Sequence, residues 1–223
     1  LADAIASRAA LTIDWMTAQG AAFESHPRRS DSMPMLSPLR EMRAGLDWKD
    51  SGANRFLQRL GALLLERGGE LRRGVRAQRL IVERGAVTGV EIRTGQGMEI
   101  IRAKSVAIAD GGFQADPDLV KAHIGCDASA LQRRNSGTGQ GDGLRMATEI
   151  GAASVGLGTF YGHVLSRDAM TNEKLWPYPQ VDVISATSML VDPAGKRFAD
   201  EGMGGIYLAN AIARLPDPLT ATA

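Results

Sequence analysis

Alternating helix-forming and β-forming runs, with glycines closing the apolar segments, predict an α/β fold for this chain of 223 residues. Three observations carry that prediction. "KSVAIADGGF" (104–113) is a short continuous apolar run, Val106 to Ala109, ending in Gly111 and Gly112, as a strand buried on both faces would. "NSGTGQGDGLRMATEIGA" (135–152) sets Gly137, Gly139, Gly141 and Gly143 at every second position before a helix-forming stretch. Between residues 70 and 103, β-rich runs separated by "RGA" and "TGQG" turns read as a strand feeding a β-meander.

The elements follow in order. Residues 1 to 20 have helix-forming composition, with Ile5, Leu11, Ile13, Trp15 and Met16 as apolar anchors and Gly20 where the helix stops. Residues 21 to 50 carry Pro27, Pro34 and Pro38 among Ser and Arg, which is loop composition, and His26 there reads as a solvated loop residue. Ser51 is placed to cap a helix on which Phe56, Leu57, Leu60, Leu63 and Leu64 form one buried face, ended by Gly68 and Gly69. "ELRRGV", "AQRLIVE", "AVTGVEIR" and "GMEIIRA" are the β runs. "DPDLVKAH" is a short helix opened by Asp116 and Pro117, with His123 near its C-terminus, where a charged imidazole is favourable. Leu144, Ala147 and Ile150 or Gly151 share a face of the following helix, with Asp142 placed to cap it. Beyond residue 152 the composition turns to loop and irregular β, with the Pro- and aromatic-rich "LWPYPQVD".

Composition narrows the function classes. Lys and Arg total 26 against 25 Asp and Glu, and a net charge of +1 gives no reason to expect a nucleic acid or an anionic membrane as partner. No apolar run approaches a membrane span. The single cysteine, Cys126, excludes an internal disulfide framework and a multi-cysteine metal site, and reads as an ordinary thiol in a reducing, cytoplasmic setting. The chain opens at Leu1 without a signal-like leader and stops at "PDPLTATA" without a closing element, which leads us to expect a piece of a longer protein.

Two glycine elements are candidate cofactor contacts. Four glycines in seven residues are costly to order. They make sense where a ligand must reach the backbone at a helix start, whose amides and dipole favour an anion. The spacing is neither G-x-G-x-x-G nor a Gly-Lys-Ser/Thr phosphate loop. A mobile loop is the alternative on glycine density alone. The pair Gly111–Gly112 stands where a parallel strand would end, the usual place for a nucleotide cofactor, and a tight turn needing positive φ is the alternative there.

The order of these elements resembles one family. "TIDWMTAQGAAF", "ERGGELRRGVRAQRLI", "GAVTGVEIR", "AKSVAIADGGF", "GTGQGDGLRMATEIGA" and "GKRFADEG" follow one another as in the fumarate reductase and succinate dehydrogenase flavoproteins. The likeness is strongest to the soluble branch with tricarballylate dehydrogenase and 3-oxosteroid dehydrogenases. The resemblance implies a doubly wound FAD-binding domain carrying a β-meander, interrupted by an α+β substrate-capping domain. Residues 1–157 would be the middle of the first, lacking its G-x-G-x-x-G segment, and 158–223 the start of the second. FAD is the implied cofactor. The implied chemistry is hydride transfer between flavin N5 and a carbon next to a carboxylate or carbonyl, with an unspecified electron donor or acceptor.

By the same carry-over, Val75 to Ala77 match the strand start whose backbone meets the adenine. Asp110 stands at a threonine position beside Gly111 and Gly112, and Gly139, Gly141, Asp142 and Gly143 match the flavin-side turn. His163 falls where fumarate reductases bind a substrate carboxylate, with a packed, hydrogen-bonded histidine as the alternative. Gly195, Arg197, Phe198, Asp200 and Glu201 match "G-x-RF-x-(N/D)-E", which puts Glu201 close to the active site; an exposed turn with a surface ion pair is the alternative. The arginine that donates the proton in fumarate reductases is replaced by Gly205, so the resemblance leaves the proton-handling group open. Tyr207 is a candidate, because the steroid branch uses tyrosines, against the commoner packed tyrosine. Other readings are a 3-oxosteroid-type dehydrogenase, or an inactive structural piece. With half of the expected contacts absent, the 223 residues alone are expected not to hold FAD tightly.

Overall fold

The computed structural model describes residues 2–25, 34–40, 49–133, 137–172, 174–175 and 181–222. His26 and most of "LWPYPQVD" lie outside them. The chain divides into two compact units, residues 1–73 and 74–223.

In the first unit, helix α1 (Ala2–Ala18) is followed by Gly20 at φ +97° and by a short antiparallel pair, β1 (Phe23–Ser25) with β2 (Pro34–Leu36). The α1 anchors are not a buried stripe: Ile5, Leu11 and Trp15 are more than half exposed. Helix α2 (Gly52–Glu66) begins as its sequence predicts, with the Ser51 hydroxyl accepting from the Asn54 amide at 3.4 Å. It ends at Arg67 and Gly68, the latter at φ +79°. Its expected buried face is reduced to Phe56, and Leu57 and Leu64 are exposed. Helical periodicity marks a face able to be buried, while burial needs a neighbour to cover it.

The second unit opens with the meander, β3 (Arg76–Glu83), β4 (Ala86–Thr94) and β5 (Gly97–Arg102), antiparallel in the order β3-β4-β5. Arg84 (φ 52°) and Gly85 (φ 79°) make the tight β3–β4 turn, whose two positive φ values match the twist of the strands. "ELRRGV" is not a strand. The run Val106–Ala109, expected as a buried strand, is irregular, and Ile108 is 42% exposed. A strand needs ladder partners on its flanks, and the described strands pair only as the two antiparallel groups.

Helix α3 (Pro117–Ile124) is capped by Asp116, which accepts from Asp118 N and Leu119 N at 3.0 and 2.9 Å, and is closed by Gly125 at φ 91°. Helix α4 (Asp142–Glu149) buries Gly143 and Met146, whereas Ile150 is exposed, so its inward face lies one residue round from the expected one. Short α5 (Asp182–Ala186) and apolar α6 (Gly205–Ala213) complete the unit. Its core is two clusters. Val120, Ile124, Cys126 and Ala213 form one; Val164, Leu190, Leu208 and Ala209 form the other; Phe160 packs against both. Leu208 is fully buried, which contributes about 1.5–3 kcal/mol. Burial pushes the Cys126 thiol up, in keeping with an unreactive packing residue.

Candidate active site

Between those clusters lies a cavity of about 840 Å³. Its walls are largely apolar, with Phe113, Leu131 and Phe160 among them, and Gly112 and His163 are both on its lining, as are Arg133 and Arg167. The glycine pair of "ADGGF" and the histidine of "TFYGHVL" thus meet at one concavity, 51 positions apart in sequence.

The two glycine segments form a single backbone unit. Ala115 N donates to Gly139 O at 2.8 Å, and Gly141 N donates to Gly112 O at 3.3 Å. Most of these glycines answer to the chain itself. A Cβ on Gly112 or Gly139 would stand 2.8 Å from Gln114 Oε1 and 2.5 Å from Gln114 Nε2 respectively. A Cβ on Gly143 would stand 2.8 Å from Asp110 Cγ and nearer still to its Oδ1 and to Ile108. Asp110 is there for a purpose: its Oδ2 accepts from Gly143 N at 2.7 Å and caps α4 from outside the helix. The amide expected to meet an anionic ligand is therefore already taken by a carboxylate.

Asp142 is not the cap. The N-cap position is Gly141, at φ 74° and without a side-chain bond, and Asp142 is the first helical residue. Its carboxylate is forked by Arg76, which donates from Nε at 2.7 Å and from Nη2 at 2.8 Å. The Arg76 hydrogen bonds hold the Asp142 carboxyl below its ordinary range, and Asp142 raises Arg76 in return. Arg76 sits between Val75 and Ala77, so this pair ties the expected adenine strand to the glycine turn. Arg145 adds a second tie, donating to Gln78 O at 3.0 Å.

His163 is fixed from several sides. Its Nδ1 lies 2.6 Å from Asp182 Oδ2, and Tyr161 meets its ring edge-on with centroids 5.3 Å apart. Asp182 Oδ1 accepts from Val164 N at 2.8 Å, while Val181 N donates to Val164 O at 2.9 Å. On the other flank, Asn210 of α6 clamps Phe160, accepting from its N at 3.0 Å and donating to its O at 2.8 Å. Gly205 leaves the room that Asp182 fills: a Cβ there would lie 2.8 Å from Asp182 Cβ and closer to its carboxylate.

Glu201 and Tyr207 stand off the cavity lining. Glu201 is buried, accepts from Leu190 N at 2.7 Å and pairs with Arg197 through Nε at 3.0 Å and Nη2 at 2.5 Å. These bonds, the Arg197 one foremost, lower its carboxyl to about 2. Tyr207 is 42% exposed on α6. Asp182 and Asn210 were missed in the sequence. Asn210 left a signal, a polar residue inside the apolar run "GIYLANAIA"; Asp182, beside "PYPQ", left none.

The flavin reading is compatible with this backbone at Gly111, which has φ +87° and nothing within 4 Å of where a Cβ would stand, so a planar ring can approach the chain there. The sequence matches the FAD binding domain family over residues 1–218, and the chain belongs to that family, whose cofactor is FAD. It is 28% identical over 206 residues to the NADH:acrylate oxidoreductase of Vibrio harveyi, covering 90% of this chain and 20% of that protein. Among solved structures, an open flavocytochrome c3 fumarate reductase superposes with a TM-score of 0.62 at 21% identity, over 95% of this chain and 36% of that one. The 3-ketosteroid-Δ4-(5α)-dehydrogenase of Rhodococcus jostii RHA1, in complex with 4-androstene-3,17-dione, gives a TM-score of 0.61 at 15% identity, over 94% and 45%. This chain spans about a fifth of the length of the first of these proteins. These likenesses establish the fold as part of the FAD-binding fumarate reductase type.

Proposed function

We propose that the chain is the middle of an FAD-dependent dehydrogenase or reductase that moves a hydride between flavin N5 and a substrate carbon next to a carboxylate or carbonyl. The observation that carries this reading is the shared cavity, with a predicted cofactor contact, Gly112, and a predicted substrate contact, His163, on one lining. FAD supplies the two-electron chemistry, and the protein binds, orients and excludes water. Residues 1–157 are assigned to the FAD-binding domain and 158–223 to the start of the cap. Gly111, Gly112 and the 139–143 turn are assigned to the cofactor side, together with Val75 to Ala77. Arg133 and Arg167 supply cationic heads on the lining for a carboxylate or carbonyl oxygen. Glu201 is assigned a bracing role, since its carboxylate is committed to Leu190 N and Arg197.

One observation favours a second reading. Apolar walls and a volume of about 840 Å³ suit a ring-bearing ketone better than a four-carbon diacid. The test is anaerobic titration of the FAD-loaded whole protein, of which this chain is the proposed middle, with succinate, tricarballylate and a 3-oxosteroid, following the visible absorbance of the oxidised flavin. Bleaching by a carboxylate supports the first reading, and bleaching by the steroid alone supports the second. A whole protein that takes up no FAD refutes both, whereas the 223 residues alone are expected not to retain it. Among the described residues no helix is long and apolar enough to cross a membrane. The electron partner is expected to be a separate molecule or domain.

A further inference from the structure

The oxidoreductase reading requires a proton to move at the carbon adjacent to the one that exchanges hydride, and the group that fumarate reductases use is replaced here by Gly205. Beyond Arg133 and Arg167, assigned above to the substrate oxygens, and Tyr161, which is on the lining but 75% exposed, four titratable groups are candidates. Tyr207 and Glu201 are not on the cavity lining, and Glu201 is held as a carboxylate by Arg197 and Leu190 N. Asp168 is on the lining, on the exposed side of a single turn, 167–170, and among the described residues no other element donates a hydrogen bond to its carboxylate. His163 is on the lining and is the only one of the four held by a second side chain that leaves its other nitrogen available.

Resting on the oxidoreductase reading, we infer that His163 transfers the proton through Nε2 and that Asp182 is the residue that positions it. With Asp182 Oδ2 at 2.6 Å, the Nδ1 proton is fixed between ring and carboxylate. Nε2 then has no hydrogen-bond partner among the described residues and is the nitrogen left for the substrate. Asp182 is itself fixed, because Val164 N occupies its other oxygen at 2.8 Å and Gly205 admits its carboxylate by having no side chain. The arrangement is a base oriented by a third group, the logic of a catalytic histidine and its supporting aspartate. In the reducing direction a hydride adds to the β carbon of an activated double bond, with both electrons coming from the reduced cofactor. The π pair goes to the α carbon, which takes the proton from Nε2 of the protonated ring. In the oxidising direction the neutral Nε2 accepts the α proton as the β hydrogen leaves with its pair. Fumarate-type chemistry would thereby run here on a histidine in place of an arginine. The replacement at position 205 is what makes room for the aspartate.

The test has two arms on the FAD-loaded whole protein. In the first, ¹⁵N-histidine NMR reads the tautomer of neutral His163. The expected result is Nδ1–H with unprotonated Nε2, shifting toward Nε2–H in Asp182→Asn, whose amide can donate to Nδ1. An Nε2–H tautomer in the unaltered protein overturns the positioning. In the second, the cofactor is reduced chemically and its anaerobic reoxidation by acrylate and by 4-androstene-3,17-dione is followed. His163→Gln and Asp182→Asn are each expected to slow it at least about a hundredfold, with thermal unfolding of His163→Gln unchanged. Reoxidation of His163→Gln within about twofold of the unaltered rate overturns the proton role alone. Failure of the unaltered protein to react with either acceptor overturns it together with the oxidoreductase reading. If Asp182→Asn does not fold, the tautomer of the unaltered protein and the His163→Gln rate decide the matter.

Discussion

Two helices of the second unit begin in the same way, and the difference between them separates a structural carboxylate from a chemical one. At α4 and at α6 a glycine in the first turn, Gly143 or Gly205, makes room for an aspartate from elsewhere in the chain. At α4 the aspartate is spent on the helix: Asp110 Oδ2 accepts from Gly143 N at 2.7 Å and satisfies a first-turn amide. At α6 the aspartate makes no cap bond. Asp182 gives one oxygen to Val164 N and the other to His163, whose ring lines the cavity. A missing Cβ beside a carboxylate therefore does not by itself reveal a role. What the carboxylate holds decides it.

Breaking each pair in turn tests that distinction, and the largest effect is expected at α6. In Gly205→Ala the new methyl must displace Asp182, which can move only by giving up His163 and Val164 N. Flavin reoxidation by acrylate or the 3-oxosteroid should fall about a hundredfold or more, as in Asp182→Asn. A Gly205→Ala protein with unimpaired rate would mean the aspartate shifts without releasing the histidine. At α4, Gly143→Ala drives its methyl into Asp110 and Ile108. The expected cost is stability, about 1–3 kcal/mol from overpacking and the lost cap, read from urea unfolding midpoints. If Gly143→Ala instead leaves stability unchanged and abolishes FAD uptake, the glycine serves the cofactor directly.

Legibility in the sequence followed the same division. Local chemistry was readable: the Ser51 and Asp116 caps, the positive-φ glycines that end helices, and the two-residue turn of the meander each depend on a few neighbouring residues. Long-range partners were not. The Val106–Ala109 run has strand composition, yet composition cannot supply the ladder it needs, and the faces of α1 and α2 have helical period yet stay largely exposed. At the site, Gly112 and His163 were singled out separately, and only folding brings them to one cavity. Acidic residues favour a cap position, and the sequence points to Asp142 there for that reason. The bidentate pull of Arg76, 66 positions away, left no mark in the local text. Asp182 was invisible for the same reason.

Glu201 offers a third carboxylate against which to set the first two. It braces backbone as Asp110 does, at Leu190 N, and carries an ion pair as well. Its folded carboxyl titrates at about 2 against an ordinary value of 4.5, so the stability it contributes is complete above about 4.5 and is lost as pH falls toward 2. Glu201→Gln removes that dependence. Unfolding midpoints of the two proteins should be furthest apart at neutral pH and converge in acid. A gap that stays constant down to the lowest pH would mean the carboxylate charge contributes nothing.

The smallest effect is expected where two charged side chains meet at a partly open surface. Arg76 and Asp142 make a two-pronged bond, but their side chains are 44% and 20% exposed, and water competes for both. Asp142→Asn should cost no more than about 1 kcal/mol, and added salt should shrink the difference by screening the charges. The fork also has geometry that an isolated charge pair lacks, because it fixes the start of β3 against the first turn of α4. If the loss persists undiminished in high salt, directional hydrogen bonding holds those two segments in register, and Asp142 belongs with Asp110 as a structural brace. If salt abolishes the loss, the pair is a surface charge contact, and the register of strand and helix rests on Arg145 and its bond to Gln78 O.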